Sequence, residues 1–259
     1  MGKIALQGIV YDEKSSYLEG PALAPPLIRS AYHNESANYF AESGLKVVPE
    51  LFEDCGDFAI KDYFDIESIT LDNLGKNLPL ITFGGDHSIT FPIIKAFHSL
   101  FGEIDILHID AHSDMYNDFE GDPYSHACPF NQIMQNGLAS RLVQVGIRTL
   151  SDEQRANISK YNVEVIEMID FGHKPIPTFH KPIYLSMDID ALDPAFAPGV
   201  SHHEPGGLTT REVIKIIQQI NVPIIGADIV EYNPKRDLNN ITAMVCAKLF
   251  REIAAKILG

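Results

Sequence analysis

Aspartate, histidine and glutamate are concentrated in four short segments of this sequence. The segments are 84–88 (GGDHS), 110–114 (DAHSD), 188–190 (DID) and the single residue Glu231. In an extended chain, residues two positions apart project to the same side, so Asp110, His112 and Asp114 can face one point. Asp188 and Asp190 can do the same on another strand. Clustered carboxylates with nearby imidazoles are the ligand types that bind divalent metal ions.

The apolar surroundings of these carboxylates indicate that their charge needs a counter-ion. Apolar residues such as Ile106 and Leu107 stand beside them, and no lysine or arginine lies within the four segments. Buried charge is costly unless it is paired or binds metal. Two divalent ions would balance four of these aspartates (Asp110, Asp114, Asp188 and Asp190), and the imidazoles of His87 and His112 add no charge. A carboxylate-rich set with few imidazoles favours Mn²⁺ over zinc, and two ions roughly 3.5–4 Å apart can acidify a shared water.

Each segment taken alone has an ordinary explanation. A single Asp-x-Asp or Asp-x-His is usually a helix cap, a turn or a solvated edge, but four such segments at strand ends make that explanation poor. Asp86 is expected to order its loop rather than to bind metal. His126 is either a loop histidine or a functional one, and Glu231 is either an ordinary strand-end carboxylate or a functional one. Cys128 stands two residues after His126, which leaves open a Cys–His nucleophile pair in an amidine hydrolase that needs no metal.

Short apolar runs alternate with helical patterns along the chain, which predicts an α/β fold with a mostly parallel sheet. The predicted strands are 4–10, 45–51, 78–83, 104–109, 142–147, 163–168, 183–187 and 223–229. The predicted helices are 22–33, 66–77, 90–101, 130–140, 152–161, 209–220 and 241–258. The four acidic segments follow predicted strands, and ligands bind outside the carboxyl ends of strands in open parallel sheets. We therefore expect the segments to meet at one edge of the sheet.

Composition and charge limit the number of domains, the partners and the cellular compartment that we expect. The chain has 259 residues without an internal repeat or a linker rich in serine or proline, so we expect a single domain over 1–259. Its net charge of −15 disfavours partners such as nucleic acid or an anionic membrane, and no apolar run reaches membrane-spanning length. Three cysteines without a C-x-x-C pair are typical of a reducing compartment. Because no secretory signal is evident either, we expect a cytoplasmic protein.

The motifs together resemble those of the ureohydrolase family, which includes arginase, agmatinase, guanidinobutyrase and formimidoylglutamase. GGDHS, DAHSD and SMDIDALDPAFAPG match its three signature regions, and the likeness runs from about Pro79 to the C-terminus. Residues 119–121, 124–127, 199–207 and 230–234 are most similar to plant-type arginases. The resemblance implies a three-layer α/β/α sandwich around a mostly parallel eight-stranded sheet. It also implies self-association as a trimer or hexamer.

The resemblance further implies a ligand set for two Mn²⁺ ions per subunit. One ion would be held by His87, Asp110, Asp114 and Asp188. The second would be held by His112, Asp110, Asp188 and Asp190. In this set Asp110 and Asp188 bridge the two ions. Every ligand position is filled, which argues against a non-catalytic relative. The presence of His126 and Glu231 argues against a scaffold protein without turnover, and the second ligand set argues against a histone-deacetylase-like enzyme with a single zinc.

The implied reaction is hydrolysis of a small cationic guanidino substrate to urea and an amine. Glu231 would pair with the guanidinium, His126 would pass a proton to the departing amine, and Asp190 would relay a proton from the attacking water. The likeness favours arginine as the substrate. Asp122 stands where plant-type arginases tend to carry asparagine, and as a substrate-binding residue it would favour the ammonium of agmatine. We expect arginine, with agmatinase activity as the alternative.

Overall fold

The computed structural model describes residues 3–36 and 38–259. The strands of this part are β1 (Ile4–Val10), β2 (Phe52–Ala59), β3 (Leu80–Phe83), β4 (Ile104–Ile109), β5 (Ala139–Ile147), β6 (Glu164–Glu167), β7 (Ile183–Asp188) and β8 (Ile224–Val230). The α-helices are α1 (Ala24–Tyr32), α2 (Asp65–Leu74), α3 (Thr90–Phe101), α4 (Pro129–Gln135), α5 (Asp152–Lys160), α6 (Thr210–Gln219) and α7 (Ile241–Leu258). Across these described ranges, none of the helices combines the length and the apolar character that crossing a membrane requires.

One sheet contains all eight strands in the order β2-β1-β3-β8-β7-β4-β5-β6. Every pairing between neighbours is parallel. The predicted eight-stranded parallel sheet is therefore confirmed. Strands β3, β8, β7 and β4 are consecutive neighbours at its centre, and they are the strands that the four acidic segments follow. The sheet order thus brings together segments that are far apart along the chain.

Helices cover both faces of the sheet. Apolar residues of α1, α6 and α7 pack with strand residues in one buried cluster, and those of α2, α3 and α4 pack in a second. Strand β4 contributes to both clusters, because Leu107 and Ile109 face one side while Ile104 and Ile106 face the other. A strand covered on both faces needs apolar residues at successive positions, which explains the continuous apolar runs of the sequence. The layers form the expected α/β/α sandwich.

Two predicted elements differ from the structure by more than three residues at one end, and several others differ by one to three residues. The predicted strand 45–51 does not form, because Pro49–Leu51 makes a 3₁₀ turn and β2 begins after it. Strand β2 lies at the edge of the sheet and is largely part-exposed, so its sequence FEDCGDFA lacks the apolar run that marks a buried strand. The predicted helix 130–140 is too long. Helix α4 ends at Gln135, Gly137 adopts a φ of 64°, and Ala139 already begins β5.

Candidate metal centre

His87 lies at the centre of the first group of candidate ligands. Its Nδ1 atom is 3.0 Å from Asp188 Oδ2, 3.1 Å from Asp114 Oδ2 and 3.2 Å from Asp110 Oδ2. All four side chains are buried. Although three carboxylate oxygens surround it, this nitrogen makes no hydrogen bond within the described residues. A buried imidazole nitrogen that faces several carboxylate oxygens is an arrangement that a metal ion completes.

A hydrogen bond on the opposite side of the His87 ring determines which ring nitrogen is available to a metal ion. Its Nε2 atom lies 2.9 Å from Ser186 Oγ, and that hydroxyl donates to Asp228 Oδ1 at 2.7 Å. Because the Ser186 proton is used on Asp228, the hydroxyl oxygen accepts the Nε2–H of His87. Burial lowers the pKa of His87, but the surrounding carboxylates outweigh burial and raise it well above its usual value. A proton and a metal ion therefore compete for Nδ1.

A second group forms around His112. Its Nδ1 atom is 3.1 Å from Asp190 Oδ2 and 3.6 Å from Asp110 Oδ1. Asp110 therefore directs Oδ2 toward His87 and Oδ1 toward His112, so one carboxylate joins the two groups. Asp188 faces His87 with Oδ2, while its Oδ1 accepts the backbone N–H of Asp190 at 2.7 Å.

The backbone turns at the strand ends instead of continuing extended. Ile189–Ala191 forms a 3₁₀ turn directly after β7, and the side chain of Asp188 caps it. Asp114 has a φ of 51° and Glu231 a φ of 63°, a left-handed region that costs energy for residues other than glycine. The expectation that extended chain aims these side chains at one point is therefore wrong in its geometry. Turns held by the surrounding structure bring the carboxylates together.

The charge balance of the group favours bound cations. Burial raises the pKa of Asp188 well above its usual value, and the neighbouring carboxylates of Asp190 and Asp110 raise it further. Burial also raises the pKa of Asp190, although His112 opposes the increase. Divalent cations supply the positive charge that these buried carboxylates lack, so the donor set fits metal ions.

His108 belongs to the support of this group and was not predicted. Its Nδ1 accepts from Gln144 Nε2 at 3.0 Å, so its Nε2–H donates to Asp110 Oδ2 at 2.7 Å. His108 lies close enough to His87 and Asp110 to count as a ligand by distance. Both of its nitrogens are occupied, however, so it orients Asp110 instead. Its position two residues before Asp110 on a buried strand was the available signal, because such residues face the same side.

Arg148 supports Asp190 from outside the group and was also missed. Its guanidinium donates to the carbonyl oxygens of Asp190 at 2.7 Å, Ala191 at 3.2 Å and Leu192 at 3.4 Å. It therefore holds the backbone of the turn that carries Asp190. These partners lie more than 40 residues away along the chain, so no local pattern in the sequence indicates the contact.

Glu231 and His126 form a buried pair next to the carboxylates. Glu231 Oε1 accepts from His126 Nδ1 at 2.8 Å and from the backbone N–H of His87 at 2.9 Å. No hydrogen bond in the described structure uses Oε2, the other oxygen of Glu231. Burial lowers the pKa of His126, but the charge of Glu231 outweighs burial and raises it to about 9. Burial alone would raise the pKa of Glu231, yet His126 and the His87 amide bring it below its usual value.

A cavity of about 180 Å³ connects these groups. Its lining includes the predicted site residues His112, Asp114, His126, Asp188, Asp190 and Glu231. Ser16 and His202, which sequence analysis did not single out, also line it. His202 Nε2 is buried and has no hydrogen-bond partner in the described part of the chain.

Asp122 and Cys128 do not line this cavity. Asp122 Oδ2 pairs with Lys14 Nζ at 2.7 Å and its Oδ1 accepts the backbone N–H of Tyr124 at 2.9 Å, so the expected contact with a substrate tail lacks support. Cys128 is fully buried, and burial raises the pKa of its thiol far above the usual value. Because the thiolate is the nucleophilic form, a Cys128–His126 mechanism is not supported.

Comparison with known proteins gives consistent results. The sequence model of the Arginase family matches residues 2–255. The mitochondrial arginase of Medicago truncatula is 44% identical over 98% of this chain and 81% of its own length. Arginase 2, chloroplastic/mitochondrial, of Arabidopsis thaliana is 42% identical over 98% and 80%. The solved structure of the Medicago truncatula arginase superposes with a TM-score of 0.91 at 42% identity, covering 99% of this chain and 87% of that one. The agmatine ureohydrolase of Thermoplasma volcanium gives 0.85 at 30% identity, covering 99% and 90%.

The names of the plant relatives correct one expectation. They place those proteins in mitochondria or chloroplasts, which contradicts the expectation of a cytoplasmic protein. That expectation rested on the lack of an apolar secretory signal. Organelle transit peptides are amphipathic and rich in arginine and serine, so the lack of an apolar run does not exclude organelles. The family match over residues 2–255 and the full-length similarity show that this chain belongs to the arginase family, as a metal-dependent ureohydrolase.

Proposed function

We propose that this chain is an arginase, which hydrolyses the guanidinium group of arginine to urea and the amine ornithine. The observation that carries the proposal is the position of Glu231 in the cavity shared with the two ligand groups. Its Oε1 is held by His126 and by the backbone of His87, so its Oε2 can pair with a cationic group in the cavity. A planar guanidinium is suited to such a carboxylate. The similarity to plant arginases supports arginine as the source of that group.

The metal ions of the proposed enzyme are two Mn²⁺. The first would be held by His87, Asp110, Asp114 and Asp188, and the second by His112, Asp110, Asp188 and Asp190. The opposite directions of the two Asp110 oxygens support a shared ligand. The preponderance of carboxylates over imidazoles supports Mn²⁺ rather than zinc. When bound, the ions supply a water whose pKa is lowered toward neutrality and which serves as the nucleophile.

The protein groups then perform positioning and proton transfer. Glu231 orients the guanidinium so that its carbon faces the ligand groups. Because hydrogen bonds from His126 and from the His87 backbone already hold the carboxylate in place, less entropy is lost on reaching that geometry. Asp190 accepts the proton of the attacking water. His126, hydrogen-bonded to Glu231, supplies the proton that the departing amine needs. The products are urea and a protonated amine.

The tail of the substrate distinguishes arginine from agmatine. A carboxylate at Asp122 was the reason to consider the ammonium of agmatine, but its pairing with Lys14 leaves little charge to attract one. No other described contact favours agmatine. A panel of arginine, agmatine and guanidinobutyrate, each scored by urea release with Mn²⁺ present, tests the proposal. A higher kcat/KM for agmatine than for arginine would overturn it.

Self-association as a trimer or hexamer is a further prediction, based on resemblance to the family. Light scattering of the metal-loaded protein tests it directly. A monomer at working concentrations would contradict it.

A further inference from the structure

The segment between β1 and α1, residues 11–20, contributes Ser16 to the lining of the cavity and is called the wall segment below. Asp86 anchors it, because its Oδ2 accepts the backbone N–H of Lys14 at 3.0 Å and the hydroxyl of Ser15 at 3.3 Å. The backbone N–H of His126 donates to the carbonyl oxygen of Lys14 at 3.1 Å. These contacts fix the position of the next residue, Ser16, beside the His126 ring.

Both ring nitrogens of His126 are occupied. Nδ1 lies 2.8 Å from Glu231 Oε1. Nε2 lies 3.1 Å from the backbone nitrogen of Ser16 and 2.7 Å from its hydroxyl oxygen. The ring itself is 8% exposed, whereas Ser16 is an exposed residue on the cavity lining. His126 itself lines the cavity, but its Nε2 is hydrogen-bonded to Ser16, so a proton leaving Nε2 meets the Ser16 hydroxyl first.

We propose that the Ser16 hydroxyl carries the proton from His126 to the departing amine. The inference rests on the proposed ureohydrolase reaction and assigns one more catalytic residue to it. A serine hydroxyl donates and accepts at the same time, so it can serve His126 in either protonation state. Among the described residues, Ser16 is the group within hydrogen-bond distance of Nε2 that also lines the cavity.

The transfer balances in protons and electron pairs. When the ring is protonated, the Nε2–H bond of His126 breaks and its proton forms a new O–H bond on Ser16. The former hydroxyl proton of Ser16 leaves at the same time and forms an N–H bond with the lone pair of the departing amine. Afterwards the neutral Nε2 accepts from the Ser16 hydroxyl and from the Ser16 backbone N–H, the geometry that the structure displays. The hydrogen bond between His126 Nε2 and the Ser16 hydroxyl thus reverses its direction during the step.

Two serine variants separate this role from a structural one. Ser16→Ala removes the hydroxyl but keeps the backbone N–H that holds His126. We expect kcat for arginine to fall by about 10² with KM nearly unchanged, since general-acid steps contribute on this scale. Ser68→Ala is the control for loss of a serine hydroxyl, because Ser68 is exposed on α2 and does not line the cavity. Its kcat should remain near wild type.

The leaving group supplies a readout that a structural defect would not change. A nitrophenylguanidine releases a nitroanilide, whose negative charge the nitro group stabilises and which takes its proton from water, so its departure depends far less on a protein acid. Ser16→Ala should therefore lose turnover of arginine but retain turnover of the aryl guanidine, with metal content unchanged. Equal losses on both substrates would overturn the relay, as would wild-type turnover of arginine.

A second pair of variants covers the case in which Ser16→Ala does not fold. Ser16→Thr keeps a hydroxyl and Ser16→Val has nearly the same shape without one, so threonine should retain the arginine activity that valine loses. Equal kcat in the two variants would also overturn the relay. If the wild-type protein releases no urea from any guanidino compound, the proposed function itself fails. If only the relay fails, the wild type releases urea and substitution of Ser16 leaves kcat unchanged, so the two failures are distinguishable.

Discussion

Lys14 and Asp122 join two loops that line the cavity, through an ion pair of 2.7 Å between Nζ and Oδ2. One loop is the wall segment with Ser16, and the other carries Phe119 and His126. Both side chains of the pair are partly exposed, at 25% and 38%. Pairs of this kind usually contribute little to stability, because water and salt screen them. The main effect of this pair is to neutralise the Asp122 carboxylate, which lies outside the cavity lining.

The first prediction concerns Asp122. Asp122→Asn should leave the ratio of kcat/KM for arginine over agmatine within about twofold of wild type, since its charge is already balanced by Lys14 and a screened surface charge is worth at most roughly 1 kcal/mol. Parallel kinetics on both substrates measure the ratio. A rise of fivefold or more would mean that Asp122 faces the substrate tail, and agmatine would then become the better candidate.

The second prediction concerns the shared ligands. Asp110→Asn or Asp188→Asn removes a buried negative charge from the metal centre and should lower both metal content and activity by orders of magnitude. Asp105→Asn is a matched control, because Asp105 is equally buried on β4 but lies at the opposite end of the strand, bonded to Ser140. Elemental analysis should find wild-type metal content in the control. Two tightly bound ions in either of the first variants would refute the ligand assignment.

The third prediction separates metal chemistry from thiol chemistry. Chelation should abolish activity and added Mn²⁺ should restore it. Iodoacetamide should have little effect, because Cys128 is buried and burial raises the pKa of its thiol. Cys128→Ser should retain activity for the same reason. Loss of activity on alkylation together with indifference to chelators would instead support a cysteine nucleophile.

The fourth prediction concerns the chain from His87 through Ser186 to Asp228. Ser186→Ala removes the acceptor of the His87 Nε2–H and should weaken metal binding by about 10- to 100-fold, as such outer partners commonly do. Titration of the metal-free protein with Mn²⁺ measures the affinity. An unchanged affinity would show that the ring is held in place by packing alone.

The fifth prediction concerns pH and the His126–Glu231 pair. The pKa of His126 is raised to about 9 in the folded protein, above its usual value near 6.5. The pair therefore contributes stability below about pH 6.5, and this contribution is lost as the pH rises toward 9. Urea unfolding of the metal-free protein measures the free energy of unfolding at pH 6 and at pH 9.5. Between these two pH values it should decrease more for wild type than for His126→Gln. Parallel decreases in the two proteins would refute this.

The sequence was sufficient for the centre of the fold and for the identity of the acidic segments. Strands β1 and β4 and helices α3 and α7 have the predicted bounds, because each is a strongly apolar or strongly periodic segment. Strand β2 was not predicted, since an edge strand needs no apolar run. Its register depends on pairing with β1, which no local pattern expresses.

The contacts around His126 were less predictable than the metal centre. The ligand segments each contain several chemically distinctive residues, whereas Ser16 is an ordinary serine in the sequence. It meets His126 across 110 residues of chain, and Lys14 meets Asp122 across 108. The sign of the charge at Asp122 suggested an ammonium, but only the folded structure reveals the lysine that balances it. Pairings over such distances are set by the packing of the wall segment.

The central strand order β3-β8-β7-β4 also bears on how the enzyme matures. His87, Asp110, His112 and Asp114 are synthesised before Asp188, Asp190 and Glu231, and the two sets meet only when β7 and β8 insert between β3 and β4. A partly synthesised chain therefore lacks Asp188 from both ligand groups and Asp190 from the second, so neither group is complete. Complete ligand groups therefore require closure of the sheet, so we expect a chain that has not finished folding to bind less metal than the folded protein.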